Sequence, residues 1–524
     1  MGIKASTRSL DPGDVSMQHL NSAKSRAQVW AFRRHPVLMG NHPSALQDVT
    51  RVLDTSVASL GALTRIVTDS QQAARLGELI SKHDFPALLR ALTSRERLPA
   101  DFFPTWIRKA GGYFPKFAQV LSVRADLIDD PEVLAGLSRC LEDMPKRSNA
   151  DVAAVLEQVG WHDASSGLGE ALNAGTVAQV NEMSLYGPAV LKVTFPDVQR
   201  RFVTDFRLFT HAQAILRALN LQDDKAQIVG AMFEAVGKSE HHVLREFDLA
   251  SEAKALWTAQ ELLAEWPSVY ESWTTAMTRV LGRAAAAFPP HLLPLLQVAQ
   301  EQSRTWRIGV PTPVADRVAP SALVMTHAGG RSLQELAEGG PAAQQEAALV
   351  FLGFAVPYLG WLLLCKSSSH LAHVDPHFGN FRWERETETL WVLDWGSTIQ
   401  LDDELRRSLC LLVSCLAASG EDAVVADLAR RIGVSGDDDI RVAEVVRGLF
   451  NATSQVAAQE SIEHAAADHL LQNIRHEVVP VVRCLAILGG TLKMIQQRIR
   501  ADHHQHIPLS LAMLWDPFAT QGFA

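Results

Sequence analysis

The sequence predicts an α+β enzyme fold of two lobes, a small β-rich one followed by a largely helical one, with a helical extension ahead of both. Three observations carry this. Helical periodicity fills the first hundred residues, β-favouring runs cluster between Leu168 and Thr194, and helical patterning resumes with one embedded hairpin near Asn380–Leu393. Residues 1–40 read as a mobile segment. Within a helical extension over 41–100, apolar residues recur at three- and four-residue spacings from Ala45 to Leu92. Asp101-Phe102-Phe103-Pro104 opens the next unit, taken as 101–330. There Val177–Leu185 and Ala189–Thr194, joined by Tyr186-Gly187-Pro188, form a hairpin, and a long helical pattern follows from Val198 to Leu263. Ser321–Met325 reads as a strand, ended by Gly329-Gly330. The last unit, 331–524, begins with a run from Ala347 to Cys365 that lacks any charge and is long enough to span a bilayer. Pro357 and two glycines interrupt it and it leads straight into a polar segment, so it reads as a buried core helix. Everything after Asp402 is helical in pattern, and no internal repeat is present.

Bulk properties exclude some functions. The 524 residues are 47% hydrophobic and 20% charged, ordinary for a chain that buries a large core. A net charge of −9, from 49 basic and 58 acidic residues, weighs against a general nucleic-acid binder. Five cysteines without a CxxC spacing indicate buried thiols in a reducing compartment. Met1-Gly2-Ile3-Lys4-Ala5-Ser6 fits a short myristoylation pattern. The basic, serine-rich N-terminus resembles a transit peptide, but Asp11 and Asp14 break its acid-poor rule.

Three segments carry candidate chemistry. Lys192 lies in the apolar run Ala189-Val190-Leu191-Lys192-Val193, where an ammonium is costly to bury unless it meets an anion. It can hold phosphates with Glu252 as its carboxylate partner, or it can be an edge-strand lysine reaching water. In His373-Val374-Asp375-Pro376-His377-Phe378-Gly379-Asn380, an aspartate with an asparagine five residues on has kinase catalytic-loop spacing. The same stretch, with His370, is also dense in metal ligands, as a metallohydrolase would be. Finally, the apolar strand Leu390–Leu393 delivers Asp394 to a turn at Trp395-Gly396, as a kinase presents its metal-binding aspartate. The order of strand lysine, helix glutamate, Asp-x4-Asn loop and Asp-x-Gly favours phosphoryl transfer, and a hydrolase has no need of it. A C-terminal cluster, Asp502, His503, His504 and His506, reads as a solvated helix end.

With those residues in place the chain resembles the UbiB family of aarF-domain-containing atypical kinases. Lys116-Phe117-Ala118-Gln119, then Leu121–Leu127 and Leu141-Glu142-Asp143-Met144-Pro145, is similar to that family's KxGQ helix and its trailing segment. Ala174-Gly175-Thr176-Val177 resembles its alanine-rich phosphate loop, and Glu246 and Asp248 its ExD motif. The resemblance, from about Asp101 to Leu405, implies a protein-kinase-like fold with a KxGQ-like helix in the added N-terminal part. It implies ATP and Mg2+ as cofactors, Lys192 and Glu252 as the phosphate-holding pair and Asp375 as the catalytic-loop aspartate. Asn380 and Asp394 would hold magnesium, Met325 would border the base, and Lys116, Gln119, Glu246 and Asp248 would gate the site.

The departures are Ala118 for the KxGQ glycine, Gly175 for the second loop alanine, and Ala255 for an asparagine. Phe378 stands for a proline, Trp395 for a phenylalanine, and Thr326-His327 replace the hinge glutamate. A stretch near 259–305 is longer than the family pattern. The implied function is a magnesium-dependent ATPase or small-molecule or lipid kinase linked to isoprenoid-quinone biosynthesis or lipid homeostasis. Its implied partners are ATP, a quinone-precursor or lipid ligand and a membrane surface, with no nucleic acid; the resemblance favours a mitochondrion or plastid and leaves the cytosol open. The alternatives are a nucleotide-binding scaffold without turnover and the metallohydrolase.

Overall fold

The computed structural model describes residues 69–82, 102–116, 144–219, 243–284, 306–364, 371–450 and 515–519, with single positions at 240 and between 475 and 491. The N-terminal address signals, Gln119, His370 and the 502–506 cluster lie outside the described residues. The chain divides into two units: residues 1–98 with 200–240, and residues 99–199 with 241–524.

In the first unit helix α1 (Ser70–Lys82) carries Arg75, which is buried and ion-pairs with Asp205 at 2.8 Å. The second unit begins with α2 (Phe102–Ala110) and α3 (Asn149–Gln158). Ser148 caps α3 and exchanges bonds with Asp151, so two orphan N–H groups of the first turn are satisfied together. Three antiparallel strands follow: β1 (Leu168–Ala174), β2 (Ala178–Met183) and β3 (Ala189–Thr194). Helix α4 (Pro196–Leu219) comes next, and from residue 200 onward it belongs to the first unit.

The helical pattern read from Val198 to Leu263 is broken before Leu249. Asp248 there caps a new helix, α5 (Leu249–Leu262), by accepting from the N–H groups of Ala250 and Ser251. The stretch beyond Ala259, read as extra length, supplies the end of α5 and α6 (Trp266–Ala284). Strands β4 (Arg307–Gly309), β5 (Pro313–Ala319) and β6 (Ala322–Thr326) precede the short β7 (Arg331–Ser332) and α7 (Leu333–Ala337). Of these, only β6 was legible as a strand.

A five-stranded antiparallel sheet runs β1-β2-β3-β6-β5. Its rows follow from register: Val180, Lys192 and Leu323 lie side by side, as do Gln179, Val193 and Ala322. Side chains alternate across a sheet. One face therefore buries Leu191, Val193, Ala322 and Val324 against Val152, Val155 and Leu156 of α3, and the opposite face presents Lys192.

Helix α8 (Pro341–Leu364) is the charge-poor run, and 89% of its most apolar window is buried. It is therefore a core helix by its placement. Around it pack α6 and residues 515–519, together with β8 (Leu371–His373), β9 (Phe381–Glu384), β10 (Thr389–Val392) and β11 (Thr398–Gln400). Helices α9 (Asp403–Ala417), α10 (Asp422–Arg431) and α11 (Asp439–Phe450) complete that core. Strands β4-β10-β9-β7 form a second sheet, with β4 and β10 parallel, and β8 pairs with β11.

Candidate nucleotide site

Lys192 is the centre of the site. Strand β3 aims it away from the α3 side, and its ammonium donates to both carboxylate oxygens of Glu252 at 2.8 Å and to Asp394 Oδ1 at 2.8 Å. Glu252 sits in the first turn of α5, is 2% exposed, and owes its position to the Asp248 cap. Burial alone would lower the Lys192 pKa, but the carboxylates of Asp394 and Glu252 outweigh it and hold the ammonium above its ordinary value. Burial likewise opposes ionisation of Asp394, yet Lys192 outweighs it and keeps the carboxyl well below the usual range. The lysine is therefore a fixed cation in a central strand, paired with Glu252, and not an edge-strand lysine reaching water.

Asp394 follows β10 with φ +53°, the left-handed region that aspartate tolerates better than most residues. Its side chain keeps 42% exposure, whereas the following Trp395 is fully buried. The Trp395 indole donates to Val392 O at 2.9 Å and meets the His373 ring edge-on at 5.3 Å. The larger ring at this position is thus packed, with its one polar atom satisfied.

The loop after β8 is organised by its own side chains. His373 Nε2 donates to Leu393 O at 3.0 Å, and its Nδ1 accepts from the Asp375 N–H at 3.4 Å. Burial pushes the imidazole below its ordinary pKa of 6.5, in keeping with a neutral ring whose two nitrogens are both engaged. His373 is consequently unavailable as a metal ligand. Asn380 Nδ2 donates to Asp375 O at 2.9 Å, and the Leu393 N–H donates to Asn380 O at 2.8 Å. These bonds set Asp375, Asn380 and Asp394 in one assembly. His377 Nδ1 accepts from the Gly379 N–H, and its Nε2 lies 3.9 Å from Asp375. Phe378, where proline was the family pattern, is buried edge-on to Phe351 of α8 at 5.0 Å.

The loop Ala174–Val177 joins β1 to β2, and the Gly175 N–H donates to Ala178 O at 2.8 Å. A Cβ at Gly175 would come no nearer than 3.6 Å to that oxygen, so neither space nor φ demands glycine there. Met325, half-buried in β6, stands opposite Val190. Thr326, in place of a hinge glutamate, accepts through Oγ1 from the Thr312 N–H at 2.8 Å. Lys116 ion-pairs with Glu246, and Asp248 is committed to the α5 cap and to Ser251 Oγ at 2.6 Å. Ala255, within α5, is buried in the core.

The donors present suit a hard cation shared with phosphate. The asparagine commits its amide nitrogen to the loop, which leaves the oxygen to ligate, and Asp394 adds a carboxylate. Among the described residues no group of three or more His, Cys, Asp or Glu could hold a metal alone. Gln179 and Asn181, buried in β2 just after the Ala174–Val177 loop, carry no signal in the sequence that marks them out. Alternation along a strand puts polar residues on one face without saying what covers it.

Residues 296–428 match the model of the ABC1 atypical kinase-like domain. No curated protein matches the chain. Among solved structures it is similar to the complex of Rv3197 with erythromycin from Mycobacterium tuberculosis, at 14% identity over 80% of this chain and 98% of that one, with a TM-score of 0.38. Asp375, Asn380 and Asp394 all fall inside the matched segment. The match over residues 296–428 to the ABC1 atypical kinase-like domain is consistent with the UbiB and aarF-domain-containing family that the motifs resemble.

Proposed function

We propose that this protein binds magnesium-ATP and acts as an atypical kinase or ATPase. The observation that carries the reading is the Lys192 ammonium, fixed at 2.8 Å from both Glu252 and Asp394 and joined through Leu393 to the Asp375–Asn380 loop. Phosphoryl transfer asks mainly for positioned charge, and these residues supply it. Lys192 would neutralise the α- and β-phosphates, and the Ala174–Val177 loop would cover them. Asn380 and Asp394 would hold Mg2+, whose role is to neutralise phosphate charge. Asp375 would orient the attacking hydroxyl or water. Lys116, Gln119 and Glu246 would gate access, with Asp248 fixing the helix that carries Glu252.

The acceptor class follows the family resemblance: a small molecule or lipid, tied to isoprenoid-quinone chemistry at a membrane surface. A scaffold without turnover is the second reading, motivated by Thr326 and Phe378. Retention of Asp375 with its backbone bonds to His373 and Asn380 favours turnover instead.

The test is magnesium-dependent ATP binding by the wild type, Lys192→Ala and Asp394→Asn. Binding is expected to weaken in both variants, and to lose its magnesium dependence in Asp394→Asn. Affinities equal to wild type in both would overturn the assignment. ATP hydrolysis that disappears in Asp375→Asn separates the enzyme from the scaffold.

A further inference from the structure

The β1–β2 hairpin that carries the Ala174–Val177 loop pairs irregularly along β1. Its register shifts between Leu168 and Ala171 and again between Ala171 and Asn173, so the strand ladder is interrupted twice within one short strand. Side chains from a short strap, residues 146–149, bond there instead. Lys146 Nζ donates to Ala171 O at 2.8 Å, and Asn149 Nδ2 donates to Gly169 O at 3.2 Å. Both acceptors lie at the irregular positions of β1.

Strand β2 holds the same strap from below with two buried amides. Gln179 is 1% exposed and Asn181 is fully buried, on the sheet face packed against α3. Gln179 brackets the peptide of Arg147: its Oε1 accepts from the Arg147 N–H at 2.8 Å, and its Nε2 donates to Arg147 O at 3.3 Å. That Nε2 also donates to Asn181 Oδ1 at 2.9 Å, and Asn181 Nδ2 reaches Asn149 Oδ1 at 3.4 Å and Gly169 O at 3.3 Å. Beyond the strap, Arg147 ion-pairs with Asp197 at 2.6 Å and lies over the Phe195 ring at 4.4 Å. Apolar residues could fill this volume without the desolvation cost of buried amides, so two amides in the row are a device for orientation rather than for burial.

We propose that Gln179 and Asn181 are positioning residues for ATP phosphates: they clamp β2, and through the strap β1, so that the backbone of Ala174–Val177 is set where phosphate oxygens bind. The proposal rests on the nucleotide reading above. It concerns phosphate contacts alone, because both amides lie in rows with Leu191 and Val193, on the sheet face opposite the one that carries Met325.

Calorimetry on the full chain with magnesium-ATP and with adenosine, which lacks phosphates, tests it, using wild type, Lys192→Ala and Gln179→Met. Gln179→Met should weaken ATP binding by about tenfold, the scale of losing one or two such bonds, and leave adenosine affinity unchanged. Backbone hydrogen exchange over residues 168–183 should quicken in the same variant. Should Gln179→Met not fold, Asn181→Ser cuts the Gly169 and Asn149 bonds and carries the same expectation. ATP affinity unchanged in the variant, or equal losses for ATP and adenosine, overturns the proposal. If wild type binds and Lys192→Ala does not while Gln179→Met equals wild type, the proposal alone fails. If wild type itself binds no ATP, the nucleotide reading fails and takes the proposal with it.

Discussion

His373 links the two ends of the site through a neutral ring, donating to Leu393 O and accepting from the Asp375 N–H. A protonated imidazole would turn the accepting nitrogen into a second donor facing an N–H, so protonation breaks the loop anchor. The folded ring titrates below its ordinary 6.5 because it is buried. The unfolded chain therefore binds more protons in the interval between the two values, and stability falls as pH drops below about 6.5. In metal-free protein the stability gap between wild type and His373→Gln should narrow by up to about 1.4 kcal/mol per pH unit in that interval. Denaturant titrations at a series of pH values measure it, and parallel curves would refute it. From sequence this histidine was one of a dense ligand-like set, because only the backbone partners of its two nitrogens reveal a structural role. Lys192, Glu252 and Asp394 were legible for the opposite reason, since each is a charge in apolar surroundings that demands a counter-charge. Gln179 and Asn181 were not, because a period of two places polar residues on one face without saying whether that face meets water or α3.

Helix α8 shows how an element accommodates its own breaker. Pro357 has no N–H to give the Gly353 carbonyl four residues back. The helix widens over Phe351–Ala355, where the Val356 N–H reaches Phe351 O, and the Tyr270 hydroxyl of α6 donates to Gly353 O at 2.7 Å. Trp515 lies against Gly360, where any Cβ would approach its ring within 2.3 Å, and donates to Val356 O at 3.0 Å. The stretch that exceeded the family length therefore contains a helix completing the core. Tyr270→Phe removes one oxygen and leaves a buried carbonyl unsatisfied, which should cost about 1–3 kcal/mol. Equilibrium unfolding of this variant checks it, and a cost near zero would show that water or a shifted helix supplies the bond. Hairpins marked by Gly and Pro turns were readable at this scale, as was the apolar α8. Strands of two or three residues such as β7, β8 and β11 hold too few positions to show alternation. The start of α5 was hidden because its apolar spacing continues that of the preceding segment, and only the Asp248 cap marks the break.

Over the whole molecule, the residues assigned to nucleotide, metal and gate fall in one of the two units, residues 99–199 with 241–524. The other unit holds a buried ion pair of its own, Arg75 with Asp205. A ligand that binds only the folded state stabilises what it touches by mass action, about 2.7 kcal/mol at a hundred times its Kd. Magnesium-ATP should therefore slow hydrogen exchange in β1–β3, in α5 around Glu252 and across residues 371–400. Amides of α1 should exchange at the same rate with and without it, because none of the residues assigned to the nucleotide belongs to that unit. The comparison needs only the full chain, with Lys192→Ala as the control that removes protection everywhere. Protection in α1 equal to that in β2 would show that the nucleotide acts on both units, and a uniform absence of protection in wild type would remove ATP from this site.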